Sequence, residues 1–473
     1  MIDYRATGLP IVPFLPEVAS LLAEGGALCL AAEPGAGKTS LVPPWLAESG
    51  RVPGRIIVLE PRRIAAVGAA ARMAELMGEG LGAGVGYRVR QDSRVGPSTR
   101  IIAMTPGVLV RIMQDDPGLA GIGAIVFDEF HERSVQADLC LALALEARAL
   151  RADLLLLLMS ATLDAERAAE FLGARILAVP GRSHPIAVRH APLAEGRGFE
   201  EGFAALALGL AAEAQGDVLA FLPGGAEIER ARRALEAAGM PAFALHGSLP
   251  LEAQRAVIAP RPSSPRRVIL ATSIAETSLT VPRVAAVLDS GLARLSRFHV
   301  RTGLNRLVTE RESADRAEQR KGRAGRLGPG LCLRAWAESE ILSPRTEPEI
   351  LRSELSALVL ESALWGARGR ADLPWLDPPP EPAWEAGREL LAELGAIEAG
   401  GRITAFGKRM AGLGTEPRLA ALVLRGQAAG LAEEACLAAA LLSEGETGGE
   451  RDLAARIGGL MARGARATGG DAR

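Results

Sequence analysis

Short apolar runs that break into a polar turn and then into an Ala-rich segment of helical period constrain the fold of this chain more than any other feature. "ALCLAAEPGAGKT", "RIIVLEPRR", "TRIIAMTPG", "AIVFDEFHE" and "DLLLLLMSAT" make a first series. A second begins after the turn-rich "VPGRSHP" at 179–185, with "DVLAFLPGG", "AFALHGS", "RVILATS" and "VAAVLDSG". Runs of this length suit strands buried on both faces, and their alternation with helices implies parallel sheets whose carboxyl-end loops form a ligand crevice. The pattern therefore predicts an α/β fold with two consecutive lobes. Past about residue 345 helical periodicity takes over, "LPWLDPPPEP" reads as a turn or linker, and the closing "ARGARATGGDAR" reads as a frayed tail.

Bulk properties narrow the function classes. A chain of 473 residues exceeds one ordinary core, and 48 % hydrophobic with 23 % charged residues describes a globular protein. The apolar run Leu154 to Met159 is far shorter than the roughly 20 residues of a membrane-spanning helix. Asp3 stands where a secretory signal would be basic, so a cytoplasmic location and no membrane partner are expected. Cys29, Cys140, Cys332 and Cys436 show no paired spacing, which argues against a disulfide framework or a zinc site and for small buried hydrophobes. The net charge of −2 gives no global basic field. Between Arg294 and Arg326, however, ten Lys/Arg face four acids. That stretch is either a solvated helix face or charge arranged for a polyanion.

Lysine occurs only at Lys38, Lys321 and Lys408, which makes Lys38 conspicuous. Gly35-Ala36-Gly37-Lys38-Thr39-Ser40 follows an expected strand and opens an expected helix, the context of a phosphate loop. Small residues let backbone N–H groups close on phosphate oxygens, Lys38 would reach the β- and γ-phosphates, and Thr39 would hold Mg²⁺. Ala32 stands where the usual motif has its first glycine, so a Gly-rich turn without function is the competing reading. "AIVFDEFHERS" supplies a partner: Asp128 for Mg²⁺ and Glu129 to take a proton from water, beside the phosphate loop if the two strands are neighbours. In "QRKGRAGR", Arg323 and Arg326 would act as arginine fingers from the second lobe, with Gln319 orienting water.

The ordered set "AEPGAGKT", "EPRRIAAVGA", "TPGVL", "DEFHERS", "MSAT", "LAFLPGG", "ATSIAETSLTV" and "QRKGRAGR" resembles the motifs of superfamily 2 helicases in the DEAH/RHA branch. With "LDSGLARLSRF", "WLDPPP" and "LLSE" it resembles the bacterial HrpB-type ATP-dependent helicases in particular, over roughly residues 8 to 460. The resemblance implies two tandem RecA-like P-loop lobes at 1–182 and 183–345. A winged-helix domain at 346–412 and a partial helical ratchet domain at 413–473 would follow, in a family whose members continue well beyond Arg473. It also implies that His131 and Ser160-Ala161-Thr162 couple hydrolysis to lobe closure and that Arg72 stacks on the base, with Leu292 in place of the opposing aromatic. Arg62, Arg63, Thr105 to Gly107, the loop His246 to Ser248 and Thr277 would line a single-strand channel through phosphate-type contacts. "LSRFHVRTGLNRLVTER" would form a wedge-like hairpin.

The expected function is an ATP-dependent nucleic-acid translocase, 3′-to-5′ by resemblance, acting as a monomer on single-stranded RNA or DNA with RNA favoured. Its cofactors would be ATP and Mg²⁺. No glutamine precedes the phosphate loop, the first being Gln91, so other nucleoside triphosphates are expected to serve as well. Two rivals stand beside this reading. A nucleotide-gated RNA-binding or assembly factor would clamp RNA without unwinding, and a phosphate-loop kinase would ignore polynucleotides.

Overall fold

The computed structural model describes residues 2–33, 35–160, 165–181, 184–193, 198–259, 265–276, 281–299, 304–326, 328–444 and 452–468. Its first eight strands are β1 (Ala27–Ala32), β2 (Arg55–Leu59), β3 (Val85–Val89), β4 (Asp92–Arg94), β5 (Ile101–Met104), β6 (Ile122–Phe127), β7 (Leu155–Ser160) and β8 (Arg175–Val179). They form one sheet in the order β4-β3-β5-β2-β6-β7-β1-β8, parallel except for the β3/β4 pair. The continuous apolar runs follow from this arrangement. β6 and β7 lie inside the sheet with helices on its faces, and every residue of each is buried. At about 1.5–3 kcal/mol for each large side chain taken out of water, "LLLLM" is among the strongest fixed points of the lobe.

A second sheet contains β9 (Ile186–His190), β10 (Asp217–Phe221), β11 (Ala242–Leu245), β12 (Val268–Ala271), β13 (Val284–Asp289) and, after the next pair, β16 (Gly330–Arg334). Its order is β11-β12-β10-β13-β16-β9 with parallel pairings throughout. Alternation along β10 splits the core in two. Val218 and Ala220 pack with Leu270 and Leu288 on one face, while Leu219 and Phe221 pack with Ile269 and Val287 on the other. Between β13 and β16, β14 (Leu292–His299) and β15 (Leu304–Arg311) form the separate two-stranded sheet expected of the hairpin. Its Thr-Gly turn lies outside the described residues.

The chain divides into two compact units: Met1–Phe298, Asn305–Arg352 and Pro374–Asp377 in one, and His299–Leu304, Ser353–Leu373 and Pro378–Arg473 in the other. Both sheets belong to the first. The second is helical, with helices Ser356–Trp365, Glu381–Glu393, Ala405–Gly412, Pro417–Ala428, Ala432–Glu444 and Leu453–Thr468. An antiparallel bridge between Ile397 and Ile403 makes its small wing. Thr404 caps the helix after that wing, its hydroxyl accepting from Gly407 N at 2.9 Å and donating to Gly395 O at 2.7 Å. The closing segment departs from the expected tail, because the last helix runs to Thr468 with apolar residues on a helical period.

All four cysteines are free thiols, and three are buried as expected; Cys436 is exposed, which corrects the reading of all four as buried hydrophobes. Burial pushes the Cys29 thiol up to about 11 and Cys332 to about 12, and Cys140 higher still. Titration of the native chain with a disulfide reagent is therefore expected to show a single fast thiol, Cys436, the others reacting only on unfolding. Two or more fast thiols would contradict the burial of the strand cysteines. No helix among the described residues is long and apolar enough to cross a membrane.

Candidate active site

The loop after β1 has the backbone that a phosphate cradle needs. Gly35 (φ 88°) and Gly37 (φ 93°) both take left-handed conformations, and a Cβ on Gly37 would come within 2.8 Å of Leu9 Cδ1. Ala36 is fully buried between them and its carbonyl accepts from Ile11 N at 3.1 Å. Helix Lys38–Glu48 starts at once, so its first N–H groups, which lack intrahelical partners, converge on the loop. Ser40 turns back, its hydroxyl 3.4 Å from the Gly37 carbonyl.

The strand carrying the acidic pair is not the neighbour of β1: β7 lies between β1 and β6. The gap is closed by the turn. Glu129 takes a left-handed backbone (φ 47°), and Lys38 Nζ donates to its Oε2 at 3.2 Å with both side chains buried. Thr39 Oγ1 donates to Asp128 Oδ2, while Asp128 Oδ1 accepts from Glu129 N at 2.8 Å. His131 Nδ1 lies 3.5 Å from Glu129 Oε2. Ser160 is buried at the end of β7, and Ala161 and Thr162 lie outside the described residues.

Glu60, at the end of β2, joins this group and was not singled out from the sequence. It is 1 % exposed, it lies within hydrogen-bonding reach of Asp128, and its Oε2 has no hydrogen-bond partner among the described residues. Burial first, then the charges of Asp128 and Glu129, hold its carboxyl well above the usual range. Burial and Glu129 likewise raise Asp128, against Lys38 and the Thr39 hydrogen bond. At Glu129 burial also opposes the charge, but Lys38 and His131 outweigh it and keep this carboxylate ionised.

Three buried carboxyl groups around one lysine leave an excess of negative charge that a divalent cation would offset. No three His, Cys, Asp or Glu side chains converge as a metal cage among the described residues. The Thr39 hydroxyl and the Asp128 carboxylate are the protein oxygens that could hold a cation such as Mg²⁺ beside a phosphate chain. Among the described residues a Cβ on Gly35 would meet nothing within 4 Å.

The second lobe brings cations to the same place. Helix Ala314–Gly322 leads directly to Arg323, which is 4 % exposed and donates from Nε to Glu276 O at 2.8 Å. Burial, then Arg326, makes its charge costly, and Glu129 of the first lobe is the first group to oppose this. Arg326 is likewise held down by burial and supported by Glu129. Gln319 is half-buried one position before Arg320. Arg320 itself is an internal hub, its guanidinium bonded to Asp289, Glu276 and Glu312 and lying over the Phe221 ring.

The remaining expected contacts fall into three sets. A cavity of about 280 Å³ in the second lobe is lined by His246, Ser248, Thr272, Ser273, Arg294 and Arg316. There His246 Nδ1 is 2.8 Å from Ser248 Oγ. In the first lobe Arg63 is exposed, Thr105 precedes helix Pro106–Asp115 as its N-cap, and Gly107 packs on Gln136. Arg62 instead bridges the lobes, donating to Ser273 O at 2.7 Å and pairing with Glu132 at 3.2 Å. Arg72 is exposed and paired with Glu75 at 2.6 Å, Leu292 gives its carbonyl to Arg320, and Thr277 lies outside the described residues.

Comparison with known proteins agrees with this geometry. The family model "DEAD/DEAH box helicase" matches residues 16–171, "Helicase conserved C-terminal domain" matches 203–328, and "Helicase associated domain (HA2), winged-helix" matches 388–414. The chain is 43 % identical over 454 residues to ATP-dependent RNA helicase HrpB of Escherichia coli (strain K12), covering 94 % of itself and 56 % of that protein. It is 36 % identical over 452 residues to ATP-dependent RNA helicase HrpA of the same organism, covering 92 % of itself and 35 % of that protein. The crystal structure of Escherichia coli DEAH/RHA helicase HrpB superposes with a TM-score of 0.89 at 42 % identity, over 95 % of this chain and 58 % of that one. The chain thus spans little more than half the length of the first of these relatives. Two RecA-like lobes, a winged-helix segment and 43 % identity over 94 % of the chain place it in one group: the chain belongs to the DEAH/RHA-type helicases of superfamily 2.

Proposed function

We propose that the chain is the NTP-hydrolysing motor core of an ATP-dependent nucleic-acid helicase or translocase that acts on single-stranded RNA in the 3′-to-5′ direction. One observation carries the reading. Glu129 is held ionised by Lys38 in the first lobe, while two arginines of the second lobe bear charges that its carboxylate helps to offset.

In this reading the loop 35–37 and Lys38 bind the phosphate chain, and Glu129 accepts a proton from the attacking water. Mg²⁺, held by Thr39 and Asp128, would screen charge on the phosphates. Arg323 and Arg326 meet negative charge as it develops, and they are in place only when the lobes are together. The Arg62 bridge to Ser273 and the groove around His246 lie on the second lobe's nucleic-acid-facing loops in this assignment. A strand in that groove would thereby bias lobe closure, a population shift driven by nucleotide state. Phosphate-type contacts and the 4 % aromatic content favour binding without sequence readout.

ATP hydrolysis by the purified chain, with and without single-stranded RNA, tests the proposal. The expected result is a rate raised by RNA and abolished by Lys38→Ala, with strand displacement of a 3′-tailed duplex. Hydrolysis indifferent to RNA and DNA alike would overturn the coupled motor. RNA-stimulated hydrolysis without strand displacement would favour the clamping factor.

A further inference from the structure

The turn that carries Glu129 and His131 ends at Arg133, and the elements fastened to Arg133 are not those that bind nucleotide. Arg133 has a left-handed backbone (φ 46°) and a buried side chain. Its guanidinium donates to Asp138 Oδ1 at 2.8 Å and Oδ2 at 3.3 Å, and to Asp377 Oδ2 at 2.7 Å. It also lies over the Phe130 ring, 5.4 Å from the centroid. Asp377 belongs to the short segment Pro374–Asp377, which Arg167 grips as well, pairing with Asp377 Oδ1 at 2.5 Å and bonding the Leu376 carbonyl at 3.3 Å. From the other side, Glu349 N donates to the Arg133 carbonyl at 3.0 Å, and Val135 N donates to Glu349 Oε2 at 3.1 Å.

Connectivity gives these contacts their meaning. The chain passes into the second unit after Arg352, returns for Pro374–Asp377, and leaves again at Pro378. Glu349 stands three residues before the crossing that follows Arg352, and Asp377 stands at the last crossing. Both are pinned to one turn of five residues. A buried arginine shared between the local Asp138 and the distant Asp377 fixes the latter strongly, because removing one partner leaves an uncompensated buried charge, while Glu349 is held by backbone hydrogen bonds to the same turn. A polar cavity of about 500 Å³ beside the turn, lined by His131, Arg133, Arg167, Arg297, Glu347 and Arg352 among others, leaves room for the anchored segments to shift.

We propose that Arg133 is a positioning residue that transmits displacement of the second unit to Glu129 and His131, with Asp377 and Glu349 as its two anchors. The proposal rests on the hydrolase reading above. Nucleic acid engaging the helical unit then acts on hydrolysis through two covalent straps, in addition to any effect through lobe closure. The coupling is carried by a contiguous set of buried contacts of the kind that mutation modulates without touching either ligand.

The test uses the whole chain with Asp377→Asn, Asp377→Glu and Glu349→Gln. Steady-state ATP hydrolysis is measured with and without single-stranded RNA, together with hydrogen exchange of the peptide covering 128–135. Asp377→Asn and Glu349→Gln are expected to lower the RNA-stimulated kcat roughly tenfold. The RNA-free rate and the KM for ATP should stay within about twofold, exchange of 128–135 should quicken, and Asp377→Glu should restore part of the stimulation. Parallel loss of both rates, or unchanged exchange in the turn, would overturn the proposal. A wild-type rate indifferent to RNA would instead defeat the helicase reading, and the exchange data would still decide whether Asp377 and Glu349 anchor the turn.

Discussion

Glu129→Gln is expected to lower the rate of ATP hydrolysis by about 10² to 10⁴, the range over which a positioned general base acts, while nucleotide binding persists. The substitution keeps the shape of the side chain and removes only its charge and its capacity to take a proton. Lys38 loses the charge of the partner it has at 3.2 Å and keeps at most a neutral acceptor, so its ammonium is held less tightly and nucleotide affinity is expected to equal or exceed that of the parent. The neighbouring carboxyls provide the control. Glu60 is as deeply buried, but burial and the charges of Asp128 and Glu129 raise its carboxyl well above the usual range, whereas Lys38 and His131 hold Glu129 below it. Glu60→Gln is therefore expected to keep most of the hydrolysis rate. Single-turnover kinetics with a fluorescent nucleotide for affinity separates the two variants. A Glu129→Gln rate within tenfold of the parent would remove Glu129 from the acceptor role.

Much of this arrangement was legible because it is local. A lysine preceded by closely spaced glycines after an apolar run and an acidic pair at a strand end report their positions through backbone geometry alone, and Gly35 and Gly37 take the left-handed φ values that a tight loop needs. Glu60 carries the same signal as Asp128, an acid directly after a buried strand, and could have been found that way. Arg62 and Arg133 could not. Their decisive partners lie 211 and 244 residues away, and only the folded chain brings them together.

The basic stretch from Arg294 to Arg326, read as either a solvated helix face or charge arranged for a polyanion, also has partners that the sequence does not reveal. Arg316 and Arg320 are neutralised by Glu276 and Asp289, and Arg311 by Glu340, all acids outside the window. Arg297 finds Glu310 within it and Glu347 beyond it. Part of what reads as a surplus of cations is an ion network, buried around Arg320 and partly exposed at Arg297 and Arg311.

That network makes Arg323 the second site where a single change should have a large effect. The helix before it is fixed through Arg320, and Arg323 Nε is fixed on the Glu276 carbonyl. Its terminal nitrogens are thus presented by a rigid scaffold, and burial already disfavours its charge. An anion at the lobe interface would relieve that cost most when negative charge peaks, which is the condition for stabilising the transition state above the ground state. Arg323→Ala is expected to reduce kcat by about 10³ to 10⁵, as arginine fingers do in other nucleotide hydrolases. Arg323→Lys should recover little, since a point charge on a flexible stem cannot keep the Glu276 hydrogen bond and reach the phosphate together. The KM for ATP should change far less than kcat if, as proposed, the loop 35–37 and Lys38 bind the nucleotide from the other lobe. The measurement is kcat and KM for the parent and both variants, with thermal unfolding of each to exclude a loss of folded protein. A fall confined to KM would assign Arg323 to ground-state binding and leave Arg326 as the group that answers developing charge.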